Sequence, residues 1–294
     1  MIKQDKDSRF LKGIYAPVSE EISQECEVEG IIPAAVYGEY ARNGPNPRFA
    51  PAGGYHWFDG DGMVHSVRIK DGKAVYSNRY VKTDRLAREE QQGEPVFLKL
   101  GDMEGRMGLL KVLSFEMKKT LGYMSDISPS TGNTALEYHA GRLMALQEGG
   151  LPYALRIMCD GVLETIGEMT FDGELKSRFT AHPKKDPVTG KLYGFGYHLD
   201  KKPFVTFFAL DAAGKLERQV PLNFERGTMM HDFAITETHA VFLDLPIMLD
   251  PSAFMKGKLP IVFKKEDKAR IGVIPLDATD GSCMRWFDMP EVSF

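Results

Sequence analysis

VHSVRIKDGKAVYSNRYV, residues 64–81, decides how this chain reads. Apolar and polar residues alternate on both sides of Asp71-Gly72. Alternation with period two sends successive side chains to opposite faces of a strand, and an Asp-Gly pair supplies the positive φ angles of a two-residue hairpin turn. The same grammar recurs in GEMTFDGELKSRF (167–179), DPVTGKLYGFGY (186–197), FVTFFALDAAGKLERQVPL (204–222) and RIGVIPLDATDGSCMRWF (270–287). Hairpins at such close spacing predict an all-β chain. A propeller suits them better than a sandwich, because its blades are four-stranded meanders that leave only short edges.

With 294 residues, 43% of them hydrophobic, the chain can bury one large all-β domain or two average ones. No WD or kelch wording repeats, so any repetition is structural. One helix is predicted within LKLGDMEGRMGLLKVLSFEMKKTLGYM (98–124), where Met107, Leu110, Val112, Leu113 and Met117 fall near helical spacing and suit packing on a sheet surface. Residues 1–30 read as an extended lead-in, and no linker or composition break follows them.

Several classes are disfavoured at once. A net charge of −4, with Lys and Arg scattered, lacks the footprint of a nucleic-acid binder. The richest apolar run, AVFLDLPIML (240–249), is broken by Asp244 and Pro246, which argues against a membrane-spanning helix. The start, MIKQDKDSRF, has neither the apolar segment of a secretory signal nor the acid-poor character of a transit peptide. Cys26, Cys159 and Cys283 lie far apart, which suits a reducing compartment, and Cys159 follows an apolar stretch and reads as core.

The seven histidines form no HxH or HExxH motif, and no Walker, GxSxG or GxGxxG loop is present. The informative relation is longer. His182, in RFTAHPKKD, and His231, in TMMHDFAIT, both stand at strand boundaries and are 49 residues apart. Four-stranded blades repeat about every 40–50 residues, so the two rings would point at a common axis. Imidazole there suits iron, copper, nickel or zinc. Glu148 lies ahead of another strand and reads either as a solvated turn carboxylate or as a hydrogen-bond partner of such a ring.

ARNGPNP (41–47), HWFDGDGMVHSV (56–67), LMALQEGGLPYAL (143–155), FTAHPK (179–184) and MMHDFAIT (229–236) resemble, in order, signature segments of the carotenoid cleavage oxygenases. The resemblance runs from about residue 13 to the end. It implies a seven-bladed β-propeller with helical and loop insertions forming a dome over an axial site, where four histidines hold one non-haem Fe(II). His182 and His231 match the first two ligands and Glu148 a carboxylate that bonds a ligand ring. Family members add O2 across a carbon–carbon double bond of a carotenoid or apocarotenoid, giving two carbonyl products. An apolar polyene is selected by tunnel shape and aromatic lining.

By the same pattern the third and fourth ligands fall beyond Phe294. Residues 31–294 are therefore expected to be the N-terminal part of one oxygenase propeller, incomplete and inactive by itself. His56 and His65 match a structural signature, while His198 reads as a strand residue near a turn and His239 as a strand end facing solvent. The wording of MMHDFAIT and FDGDGMVH is closest to the plant and algal carotenoid or epoxycarotenoid cleavers, which implies a plastid or the cytosol. Stilbene-cleaving oxygenases and retinoid isomerases share the ligand set, and a non-catalytic carotenoid-binding or regulatory propeller is the alternative from another class. LPIMLDPSAFMKGKLPIVFKK (245–265) reads either as an inter-blade loop or as a peripheral membrane contact through Phe254 and Leu259.

Overall fold

Asp71 and Gly72 both adopt positive φ, 52° and 76°, and Lys70 pairs with Lys73 across them. The hairpin predicted from residues 64–81 is thus present, closed by a type I′ turn whose twist matches its strands. The computed structural model describes residues 8–51, 54–103, 106–122, 129–250, 252–253 and 261–290. Those residues fall into two compact units that divide between Met169 and Thr170.

In the first unit, β1 (Ser23–Glu25), β2 (Gly38–Asn46), β3 (Asp61–Lys70) and β4 (Lys73–Tyr80) form an antiparallel sheet in the order β1-β4-β3-β2. Its outer strand β1 comes from the segment expected as a lead-in. Buried Asn78 ties that segment down, accepting from the Ile22 amide at 2.7 Å and donating to the Glu20 carbonyl at 2.8 Å. Two helices follow, α1 (Asp84–Gln92) and α2 (Arg106–Thr120). Thr83 caps α1 by accepting from the Leu86 amide, Gly93 ends it at φ 74°, and Leu86 is buried with Met63 and Tyr80.

α2 lies within the predicted stretch, but three of the five apolar residues named for it do not pack as expected; Val112 is half-buried, and the Met107 side chain lies outside what the structure describes. Leu110, Leu113 and Met117 are each more than half exposed. The helix is held instead by the Lys111–Asp102 ion pair at 2.6 Å and by Gly108, which leaves no room for a side chain against the Met103 carbonyl. A second meander follows: β5 (Ala135–His139), β6 (Arg142–Leu146), β7 (Tyr153–Ile157) and β8 (Leu163–Glu168). It shares a core with the first sheet, in which Val64 and Val81 meet Ala145, Tyr153, Leu155 and Leu163. Cys159, expected in this core, is exposed, because it stands in the turn where the Met158 amide bonds the Val162 carbonyl and Gly161 reverses the chain.

The second unit repeats the meander twice. β9 (Lys184–Lys185), β10 (Leu192–Tyr197), β11 (Val205–Leu210) and β12 (Leu216–Leu222) form one sheet. β13 (Ala234–Ile235) and β14 (His239–Asp244) begin the next; β15 (Ile247–Leu249) and β16 (Ile261–Phe263) branch off as a separate pair, and β17 (Arg270–Pro275) with β18 (Arg285–Asp288) completes the order β13-β14-β17-β18. Both sheets bury one aromatic core. Phe207 lies 5.8 Å from Phe242 edge to face, and Phe233 stacks on Phe242 at 5.4 Å. At its rim the fully buried Asp244 faces its register partner Arg270, accepting at 2.6 and 3.1 Å, and the Arg270 guanidinium lies over Trp286.

One predicted hairpin is absent. Residues 167–179 were expected as two strands about Phe171-Asp172-Gly173, yet no strand forms over 174–179. Phe171 and Asp172 both have positive φ, and the chain leaves them as a short 3-10 turn. The segment beyond is fixed by Gln219 of β12, which accepts from the Lys176 amide and donates to the Glu174 carbonyl, both at 2.7 Å. Buried Leu175 and Phe179 anchor it further.

Candidate metal centre

His182 stands two residues before β9, and His231 stands three before β13. Each of those strands is the edge of its own sheet. Two meanders therefore present a histidine from the same place, and the 49-residue spacing becomes proximity. The Nε2 atoms are 2.9 Å apart, the ring centroids 4.5 Å apart, and the ring planes cross at 76°. His182 is half-buried and His231 exposed.

Buried neighbours fix both segments. On the first, the His182 amide donates to Thr180 Oγ1 at 3.1 Å, between buried Phe179 and Pro183. On the second, Met230 and Phe233 flank His231 and are buried in the aromatic core. The Thr228 hydroxyl donates to the Leu245 and Ile247 carbonyls, and the Met229 amide bonds the Ile247 carbonyl at 2.8 Å. Lys184 and Asp232 then join the segments directly, Nζ to Oδ1, at 2.7 Å.

Such convergence has a definite chemical meaning. At 2.9 Å between neutral rings, one Nε2–H must face the other ring's lone pair. A first-row ion such as zinc bonds imidazole at about 2.0–2.1 Å, so two nitrogens held at right angles to one ion lie about 3 Å apart. The pair thus fits a divalent first-row ion as a two-nitrogen face, with a donor type that suits iron. Among the described residues no three His, Cys, Asp or Glu side chains are grouped for a metal.

Glu148 lies half-buried in the turn between β6 and β7 of the first unit. Phe254 and Leu259 lie outside the described residues. Other histidines have local structural settings. His56 accepts from the Phe58 amide and caps a 3-10 turn. His65 bonds the Tyr76 hydroxyl at 2.7 Å, and burial holds its imidazole below the usual range. His198 follows β10 and is held low by burial, with Arg178 and Lys201 adding to the effect. His239 opens β14 and meets the Thr238 hydroxyl at 2.8 Å. Sequence reasoning gave no role to Lys184, Asp232 or Thr228. Their signal was adjacency, since each lies within three residues of a metal-type histidine.

Solved structures identify the class. The fold matches Pseudomonas brassicacearum lignostilbene dioxygenase with a TM-score of 0.79 at 31% identity, over 96% of this chain and 56% of that one. Cobalt-substituted Synechocystis apocarotenoid oxygenase matches with a TM-score of 0.71 at 26% identity, over 93% of this chain and 57% of that one. The fold is the all-β, seven-bladed propeller type of the carotenoid oxygenases, as the hairpins and the resemblance predicted.

The family model described as retinal pigment epithelial membrane protein (RPE65) matches residues 15–294, and the chain belongs to the RPE65/carotenoid cleavage dioxygenase family. That family is one of non-haem iron dioxygenases. Carotenoid 9,10(9′,10′)-cleavage dioxygenases of Crocus sativus and Arabidopsis thaliana are each 45% identical, over 98% and 96% of this chain. The chain spans about half the length of these relatives, 53% in both cases. Two further relatives from Arabidopsis thaliana are described as chloroplastic. No helix of the described residues is long and apolar enough to cross a membrane.

Proposed function

We propose that the whole protein uses O2 to cleave a carbon–carbon double bond of a carotenoid or apocarotenoid, giving aldehyde or ketone products. The observation that carries this reading is the 2.9 Å approach of His182 and His231 Nε2 in a chain of this family. The names of the Crocus and Arabidopsis relatives favour the 9,10 and 9′,10′ bonds as targets. His182 and His231 would hold Fe(II), which when bound supplies the activation of dioxygen. Both rings must present unprotonated Nε2 atoms, so the anchors at Thr180, Thr228, Met230 and Phe233 act by keeping those lone pairs convergent.

Glu148 enters this reading through the resemblance alone, as a carboxylate that steadies a ligand ring. The two units are proposed to be parts of one oxygenase domain spanning 31–294, and Phe254 and Leu259 to reach a membrane surface where carotenoids dissolve. Plastid or cytoplasm is the corresponding location. The match to a lignostilbene dioxygenase favours a second substrate class, the stilbenes.

The test is turnover by the whole protein, iron-loaded, on β-carotene, apocarotenals and a hydroxystilbene under labelled O2. Paired carbonyl products carrying the label support the carotenoid reading. Cleavage of the stilbene alone moves the assignment to the second class. A folded, iron-loaded protein that cleaves none of them overturns both.

A further inference from the structure

No backbone ladder joins β9 to β13, since each is the edge strand of a different sheet. The separation of His182 and His231 therefore depends on side chains. Beneath them lies the shared aromatic core. Beside them Lys184, two residues after His182, reaches across to Asp232, the residue after His231, at 2.7 Å. The same carboxylate oxygen accepts from the Phe233 amide at 2.7 Å, and the Lys184 ammonium lies 5.9 Å from the centre of the buried Phe233 ring. One cation thus meets the carboxylate and the aromatic anchor of the opposite segment, and the backbone of that segment holds the same carboxylate.

We infer that Lys184 and Asp232 are positioning residues: their ion pair clamps the two histidine segments together and sets the distance between the His182 and His231 Nε2 atoms. The inference deepens the metal-centre reading and rests on it. Both partners are partly exposed, with side-chain exposures of 29% and 52%, so the pair contributes little to global stability. Its effect is local. Pairing also offsets the lysine charge, which would otherwise face a dication.

A positional role and a purely electrostatic one predict opposite results. If charge alone mattered, Lys184→Met would tighten a divalent ion and Asp232→Asn would loosen it. The clamp predicts that each loosens Co(II) by about three- to five-fold, that the double variant loses no more than either single one, and that Lys184→Arg stays near wild type. Melting temperatures should move little in all four. Co(II) titration followed by visible absorption gives the affinities. Long-range proton–nitrogen NMR of the metal-free protein gives a second readout: one Nε2–H held against one bare Nε2 in wild type and K184R, lost in K184M and D232N.

Tighter Co(II) in K184M, additive losses in the double variant, or an unchanged ring signal in the single variants would each overturn the clamp. A wild-type protein that takes up no Co(II) sinks the metal reading instead, and the metal-free spectra then judge the clamp by themselves.

Discussion

Nε2 of His182 and Nε2 of His231 meet at 2.9 Å although 49 residues separate them. Neither ring is buried, so their approach is set by the segments that carry them rather than by a closed pocket. His182→Ala and His231→Ala should therefore each lower divalent-metal affinity at least ten-fold. The fold should barely notice: surface substitutions of this kind cost about 0.5 kcal/mol or less, a shift of about 1 °C or less. Co(II) titration beside a thermal melt checks both halves, and a melt that falls by ten degrees would mean the rings are structural.

The anchor beneath them is predicted to be costly to disturb. Phe242 is fully buried and touches Phe195, Phe207 and Phe233. Phe242→Ala should cost about 3–5 kcal/mol, by lost burial and by the cavity left behind. Because Phe233 rests on the same ring, metal affinity should fall in parallel. Urea unfolding followed by tryptophan fluorescence reads the stability, since Trp286 packs against the same core.

Asp244 gives a third expectation. It is fully buried and is paired with Arg270, while Arg226 lies 3.7 Å away. Asp244→Asn takes the close carboxylate from Arg270, leaving it only exposed Glu225 at 3.8 Å, while Arg226 keeps Asp267 at 2.8 Å. Removing one partner of a buried pair costs about 3–5 kcal/mol. The arginines keep some solvent contact, which places the expected value near the lower end. A loss below about 1 kcal/mol in urea would show that water compensates them.

The pH response follows from His65 and His198. Burial lowers both in the folded state, below the ordinary imidazole value of about 6.5. The folded protein then binds fewer protons than the unfolded chain just below that pH. Stability is complete above about 6.5 and is lost as pH falls through the lowered folded values. Melting temperature should therefore drop between pH 7 and pH 5, and His65→Gln should flatten part of that drop. An unchanged slope in the variant would assign the loss elsewhere.

Much of this was legible in residue order. Asp71-Gly72 fixed a turn because few residues tolerate paired positive φ, and the edge histidines betrayed themselves through a blade-length interval. Phe171-Asp172-Gly173 misled by the same logic: it offers the same turn chemistry, but Gln219 captures the backbone that a partner strand would have bonded. α1 was missed although Thr83 and Gly93 bracket it as cap and stop, because only Leu86 and its neighbours mark an apolar face. For Lys184 and Asp232 the sequence carried only their adjacency to the two histidines, and nothing in it pairs one with the other. It joins two segments whose nearness exists only after both sheets have packed.

β9 and β13 are each only two residues long. A strand that short offers its side chains just two phases, up or down, and Pro183 and Asp232-Phe233 are the spacers that choose between them. Removing or adding a single residue in either spacer would carry the ring away from its partner, and in the second it would also shift Phe233, which sits in the core. The interval between histidine and ladder is therefore a ruler, and any variant of this chain that keeps the donors must also keep its length.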